Sequence, residues 1–437
     1  MSLPDRPNLD QLRRQAKELR ARENIALSEA QLRIARQYGF ASWPKLKAEV
    51  EARVMTRAQR ALALVNASTT GRTGRAARLL ADDPGVARFD VHTAAVLGDV
   101  EFIREAMPVD PDDTLVHVCQ SHWHRIDPSR ADGLLATARF LLDAGASPNA
   151  ENALYGASGI ANNPAITELL LQRGADPNDG ESLYHSAYHA PDHRCTKLLL
   201  AHGAKVNGSN ALGSMLDTGD LDGIRLLLAA GGTPGDAMGG AVLQHAIRRN
   251  CTVATMMALL DAGADPDFTE CTVYSPIRLA TRFGRADLVD LLLSRGAVDD
   301  SSDVDKFVGA CARVDRAEAE RLSGVELAGK DLEMIVFAAE LAATETVRLM
   351  LDMGFPVNAV RESDGATPLH AAAYQGDADT AELLLTRGAN VGAVDTNWDA
   401  TPVQWATVGS EHNGDDEPTD GWATIINLLE GAAAARS

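Results

Sequence analysis

A leucine-rich run closed by a glycine recurs along the chain: LLDAGASPN at 141–149, LLQRGADPN at 170–178, LLAHGAKVN at 199–207, LLDAGADPD at 259–267 and LLTRGANVG at 384–392. Gly145, Gly174, Gly203, Gly231, Gly263, Gly296, Gly354 and Gly388 follow one another at steps of 29, 29, 28, 32, 33, 58 and 34 residues, the 58 being two units of 29. Self-similarity at this period confines the chain to a stack of small supersecondary units. No single unit can bury its apolar stripe, so each contacts its neighbours and stability becomes a sum over interfaces.

Each unit reads the same way. A small pair such as Ala372-Ala373 or Ala338-Ala339 lets a first helix pack closely, and a turn residue such as Gly376 ends it. A leucine run such as Leu383 to Leu385 forms a second helix, which Gly388 stops.

The unit TPLHAAAYQGDADTAELLLTRGANV, 367–391, resembles an ankyrin repeat, and most units from 57 to 437 are weaker copies, degenerate at 57–112, 301–330 and 395–437. The resemblance implies an all-α ankyrin-repeat solenoid of about 11–12 helix-turn-helix units with short β-hairpin fingers. It also implies a concave side built from first helices and finger tips, through which the family mostly binds proteins. The region 57–437 is assigned to this solenoid. Residues 1–56 form a separate helical module, with helical spacing at Leu9, Leu12, Ala16 and Leu19, a capping box at Ser28 and Gln31, and a new helix near Pro44. The module resembles N-terminal extensions of some bacterial ankyrin proteins.

Charge bounds the partners. Lys plus Arg number 41 and Asp plus Glu 61, a formal charge of −20, which repels a phosphate backbone and argues against nucleic acid. The imbalance is uneven, since residues 1–60 carry 13 basic and 7 acidic groups. That module is either a solvated cap attracted to an acidic stack or a recruiter of an anionic partner. Apolar content of 45% suits a folded chain, and the absence of any long apolar run or leader-like start predicts a cytoplasmic protein without membrane contact. Five scattered cysteines without a CxxC pair read as free thiols.

In the ankyrin pattern the histidine of TPLH is structural and bonds across neighbouring turns. His92, His117, His185, His370 and His245 fall there, although Gln244-His245 aligns two ways. Two positions after the small pair, the pattern points side chains into the groove. Those positions hold Ser121-His122, His189, Asp217, Arg248-Arg249, Arg282-Phe283, Glu340 and Tyr374, a mixed surface suited to a protein partner or a small anionic or polar ligand. A solvated face without a ligand is the alternative.

Two departures from the pattern sharpen this expectation. Units between Gly145 and Gly231 lose four or five residues at the finger, exposing the groove floor, and Tyr155 and Tyr184 take equivalent positions beside that opening. Aligning Gly133 with the inter-helix glycine also reveals an insertion, WHRIDPSRAD at 123–132, carrying Trp123 and His124. It is either a lid over the groove or a tolerated insertion. A second insertion, 410–420, reads as a solvated acidic loop.

No metal or other cofactor is expected. Pro191 interrupts the His185, His189, His193 series, and His117, Cys119, His122 and His124 are divided between structural and groove positions. No nucleophile elbow, phosphate loop or dinucleotide fingerprint occurs. The leading expectation is a non-catalytic protein-interaction scaffold. The alternative is an enzyme or ligand-binding protein with a pocket under 123–132, in which His122, His124 or His189 serves as acid or base and Asp217 orients it.

Overall fold

The computed structural model describes residues 3–4, 7–23, 25, 27–40, 43–189, 192–413 and 420–436. It divides into two compact units, residues 63–334 and residues 1–62 with 335–437. The fold is all-α, with no strand among the described residues.

The 367–391 segment shows why the repeat folds as it does. Pro368 opens the helix Pro368–Gln375, where its missing N–H costs nothing. The Thr367 N–H donates to His370 Nδ1 at 3.2 Å, closing a capping box at the helix start. His370 Nε2 therefore carries the proton and donates to Ala400 O at 3.0 Å, tying this unit to the next. Burial holds the His370 pKa below its usual value, so the ring stays neutral in this role. Gly376 ends the helix in the left-handed region, Asp377 caps Ala378–Thr386, and Gly388 stops it.

Within 63–334 the pairs are Val91–Leu97 with Val100–Ala106, Pro111–Cys119 with Ala131–Asp143, and Ala153–Tyr155 plus a π-turn at Gly156–Ile160 with Pro164–Gln172. Ser182–Ser186 with Arg194–Ala201, Ala211–Thr218 with Leu221–Ala229, and Val242–Arg248 with Val253–Asp261 continue the series. It ends with Pro276–Arg282 and Ala286–Ser294, then Asp303–Ala312 and Arg316–Leu322. Successive first helices pack side by side. A Cβ on Gly309 would lie 2.1 Å from Thr281 O, so that close approach requires glycine.

The asparagine ending each GADPN string forms a ladder. Asn149 Oδ1 accepts from Asp176 N at 2.8 Å while its Nδ2 donates to Gly174 O at 3.3 Å. Asn178 repeats this with Lys205 N and Gly203 O, and Asn207 with Thr233 N and Gly231 O. Side chains thus satisfy backbone groups that a strand ladder would otherwise pair. The expected β-hairpin fingers are instead turns, such as the one closed by Arg361 N to Ala366 O at 3.0 Å.

The N-terminal helices Leu9–Glu23, Leu27–Gln37 and Trp43–Val54 enclose a core of their own, including Leu12, Ala16, Ala30, Ile34, Leu46 and Val50. This matches the stripe expected from Leu12 and Ala16. The Ser28 side chain, and with it the expected capping box, lies outside the described residues, as do residues 414–419 of the 410–420 insertion.

Candidate functional site

The 123–132 insertion is helical and packed, not a free lid. Trp123–Ile126 and a 3-10 turn, Pro128–Arg130, run directly into Ala131–Asp143. Trp123 is buried, its Nε1 donates to Ser68 Oγ at 2.8 Å, and Arg130 stacks on its ring at 5.2 Å. The inserted residues thereby fill space against the Arg57–Thr69 helix, within the 63–334 unit. Gly133 lies inside a second helix, where a Cβ would meet Gly98 O at 2.7 Å, rather than between helices.

Four candidate binding residues are buried. Ser121 Oγ donates to Val96 O, His122 Nδ1 donates to Ser68 O at 3.0 Å, and Trp123 is anchored as above. Arg282 is fully buried: its guanidinium reaches Asp305, meets Asp331 Oδ1 at 2.6 Å and lies 4.3 Å from the centre of the Tyr274 ring. Arg278 Nε adds a second pair to Asp305 at 2.9 Å. Burial pulls the Asp305 pKa upward, but hydrogen bonds from Arg278, Ser302 and Arg282 outweigh it and hold the carboxyl below its usual range. The small-pair register points two residues on, yet each of these side chains finds an internal partner and turns inward. Phe283, next along, is half-buried.

The candidate catalytic histidines are tied as well. His124 Nδ1 donates to Ser121 O at 3.3 Å, and burial with the neighbouring Arg125 charge lowers its pKa to about 4. His189 Nε2 donates to Gly159 O. Burial also lowers the pKa values of His122 and His189, so all three rings are neutral at neutral pH.

What the fold does assemble is a ring cluster on the first-helix face. Tyr155 and Tyr184 both pack on His185 with centroids 4.7 Å away, and Tyr184 meets Tyr188 edge-on at 5.7 Å. Gly159 permits this, since a Cβ there would sit 2.6 Å from His185 Cβ and 2.8 Å from Tyr155 Cδ2. The Tyr184 and Tyr188 hydroxyls are 3.3 Å apart, and that hydrogen bond pushes the Tyr184 pKa up to about 12. The exposed Tyr188 and the Glu181–His185 pair, 3.0 Å apart, were absent from the sequence reading. The i, i+4 spacings of 181/185 and 184/188 were the available signal.

Carboxylates surround this cluster. A cleft of about 450 Å³, at the shortened fingers, is lined by Asn149, Asn152, Tyr155, Asp176, Asp179 and Glu181. Further along, Asp217 Oδ1 accepts from His245 Nε2 and Arg249 Nε, each at 2.8 Å. Burial alone would raise the Asp217 pKa, but His245 and Arg249 hold it low. Arg248 is exposed, in the field of Glu333. Glu340 and Tyr374 belong to the other unit, where Glu340 pairs with Arg361 at 2.7 Å and Tyr374 packs edge-on against Trp405.

Of the five histidines expected to bridge turns, His370 does so. At 244–245 the register is shifted by one: buried Gln244 donates to Phe268 O at 2.6 Å, and His245 turns to Asp217. His185 pairs with Glu181, while His92 and His117 gather around Asp113. His117 sits in a helix that starts a turn earlier, at Pro111 capped by Asp110, so it lies in the last turn rather than in the first.

Among the described residues no helix is long and apolar enough to cross a membrane. A family model described as ankyrin repeats (many copies) matches residues 335–385. The chain is also similar to the E3 ubiquitin-protein ligase XB3 of Oryza sativa subsp. japonica, 32% identical over 183 residues, which is 40% of this chain and 37% of that relative. The match thus spans little more than a third of the relative's length. The family-model match contains the His370 bridge, and the same paired helices and left-handed glycines recur through 63–334, so the chain is an ankyrin-repeat protein.

Proposed function

We propose that this protein is a non-catalytic interaction scaffold, and that a basic segment of a partner protein docks on the first-helix face between Tyr155 and Asp217. Ankyrin repeats generally mediate protein–protein interaction. The observation that carries the finer reading is the ring cluster of Tyr155, Tyr184, His185 and Tyr188, set beside Asp176, Asp179 and Glu181. Aromatic faces attract Lys and Arg side chains, and the carboxylates add long-range attraction that salt screens. The Tyr184 hydroxyl stays protonated at neutral pH and donates to the Tyr188 oxygen, which leaves the Tyr188 O–H to donate to a partner carbonyl.

The enzymatic reading lacks comparable support. His122, His124 and His189 each spend a ring nitrogen on a backbone carbonyl, and the 123–132 segment is occupied in packing. Arg282→Ala would test folding rather than partner binding, because the side chain is buried in ion pairs.

The test is selection of a randomised peptide library on the full chain, followed by titration of the enriched peptides. Enrichment of Lys and Arg, with binding weakened about tenfold or more by Tyr184→Ala/Tyr188→Ala, supports the proposal. Peptides that bind the double variant equally well, or show no basic preference, refute it.

A further inference from the structure

We propose that His92, Asp113 and His117 form a binding site for one zinc-class divalent ion that staples two consecutive repeats. One ligand atom from each of the three residues lies within 4.8 Å of the others. They come from two first helices, Val91–Leu97 and Pro111–Cys119, which pack together. Asp110 caps the second helix, accepting from Asp112 N and Asp113 N, and Asp113 and His117 then follow one turn apart on one face. The His92 and His117 rings stack with centroids 4.4 Å apart.

The hydrogen bonds preset the donors. His117 Nδ1 lies 2.8 Å from Asp113 O; a carbonyl only accepts, so Nδ1 carries the proton and Nε2 keeps its lone pair. A backbone carbonyl orienting the far ring nitrogen is the usual outer support of a metal-binding imidazole. His92 Nε2 donates to Asp113 Oδ2 at 2.7 Å. A metal ion takes the place of the proton that these two atoms share, and the ring is protonated at Nδ1 instead. Two imidazoles and one carboxylate favour zinc, cobalt, nickel or copper over calcium or magnesium, and leave a fourth position of a tetrahedral ion for water. All three side chains are partly exposed, so the ion can enter without unfolding the repeats.

The experiment is titration of the full chain with Zn²⁺ against a competing chelator, with Co²⁺ absorption reporting the ligand set. His92→Ala, Asp113→Asn and His117→Ala are the test variants. Cys271→Ser and His412→Ala are controls, because exposed Cys271 and the acidic 410–420 stretch offer other weak donors. One equivalent of ion should bind, and each test variant should weaken it by more than the roughly 10–100-fold that loss of an outer-shell partner causes. The two controls should bind as the parent does, and circular dichroism should show every variant folded. No binding tighter than about 1 μM, or equal binding by the folded test variants, overturns the proposal.

Discussion

Asp305→Ala should strand a buried charge. Arg282 is fully buried and held by Asp305 and Asp331; Asp305 is itself fully buried, whereas the Asp331 side chain is 21% exposed. Removing one partner of a buried pair costs about 3–5 kcal/mol, because the remaining charge stays desolvated. Asp331 still meets Arg282, which places the expected loss near the lower end, about 3 kcal/mol. The assay is urea unfolding followed by far-UV circular dichroism, with hydrogen exchange across Pro276–Arg282 and Asp303–Ala312, because repeats need not unfold in one step. Arg282→Met removes the charge that Asp305→Ala would strand. In that background the cost of Asp305→Ala should fall by about 2 kcal/mol. The pH dependence has a definite sign. The folded Asp305 pKa is depressed, so its stabilisation is fully present above the unfolded carboxylate value, about 3.9, and is lost as pH falls through the lower folded value. A loss below about 1 kcal/mol, or the same loss in the Arg282→Met background, would refute the reasoning.

Further outcomes follow from individual residues. Ser68→Ala should destabilise the chain by about 1–3 kcal/mol in urea, because the buried Trp123 indole N–H loses its acceptor. Gly159→Ala should cost about 1–3 kcal/mol and weaken any peptide selected on the ring cluster, since the new methyl displaces Tyr155 or His185. Asn178→Ala removes two ladder bonds and should cost about 1–2 kcal/mol, read from the urea midpoint. A thiol reagent on the native chain should label Cys271 first, as seen by mass spectrometry. Cys119, Cys195, Cys251 and Cys311 are buried, and burial raises their thiol pKa values, to about 11 for the last three.

The candidate site was partly legible in the sequence. Tyr155 and Tyr184 were identified from equivalent positions in short units, and the fold does bring them together, on the common ring of His185. Tyr188 and Glu181 escaped because a family register names one position per unit, while a ring cluster is set by i, i+4 neighbours. Arg282 and His122 show the opposite error. Their positions in the unit point toward the groove, but the buried Asp305 carboxylate in one case and the Ser68 carbonyl in the other draw them inward.

The sequence by itself determined the stacked architecture. Its glycines fall where a helix must end in the left-handed region, its leucines where a second helix must bury a stripe, and its asparagines where a ladder can form; these requirements are local and repeat with the period. Tertiary structure alone decided the rest. Whether 123–132 lies open or packed depends on Ser68, 55 residues from Trp123. Whether Gln244 or His245 bridges to the next unit depends on a one-residue shift in where the helix begins. The meeting of His92 with Asp113 and His117 depends on a helix starting one turn early. Each of these outcomes is set by a partner far away in sequence or by a small change in helix phase, and repeat periodicity carries neither.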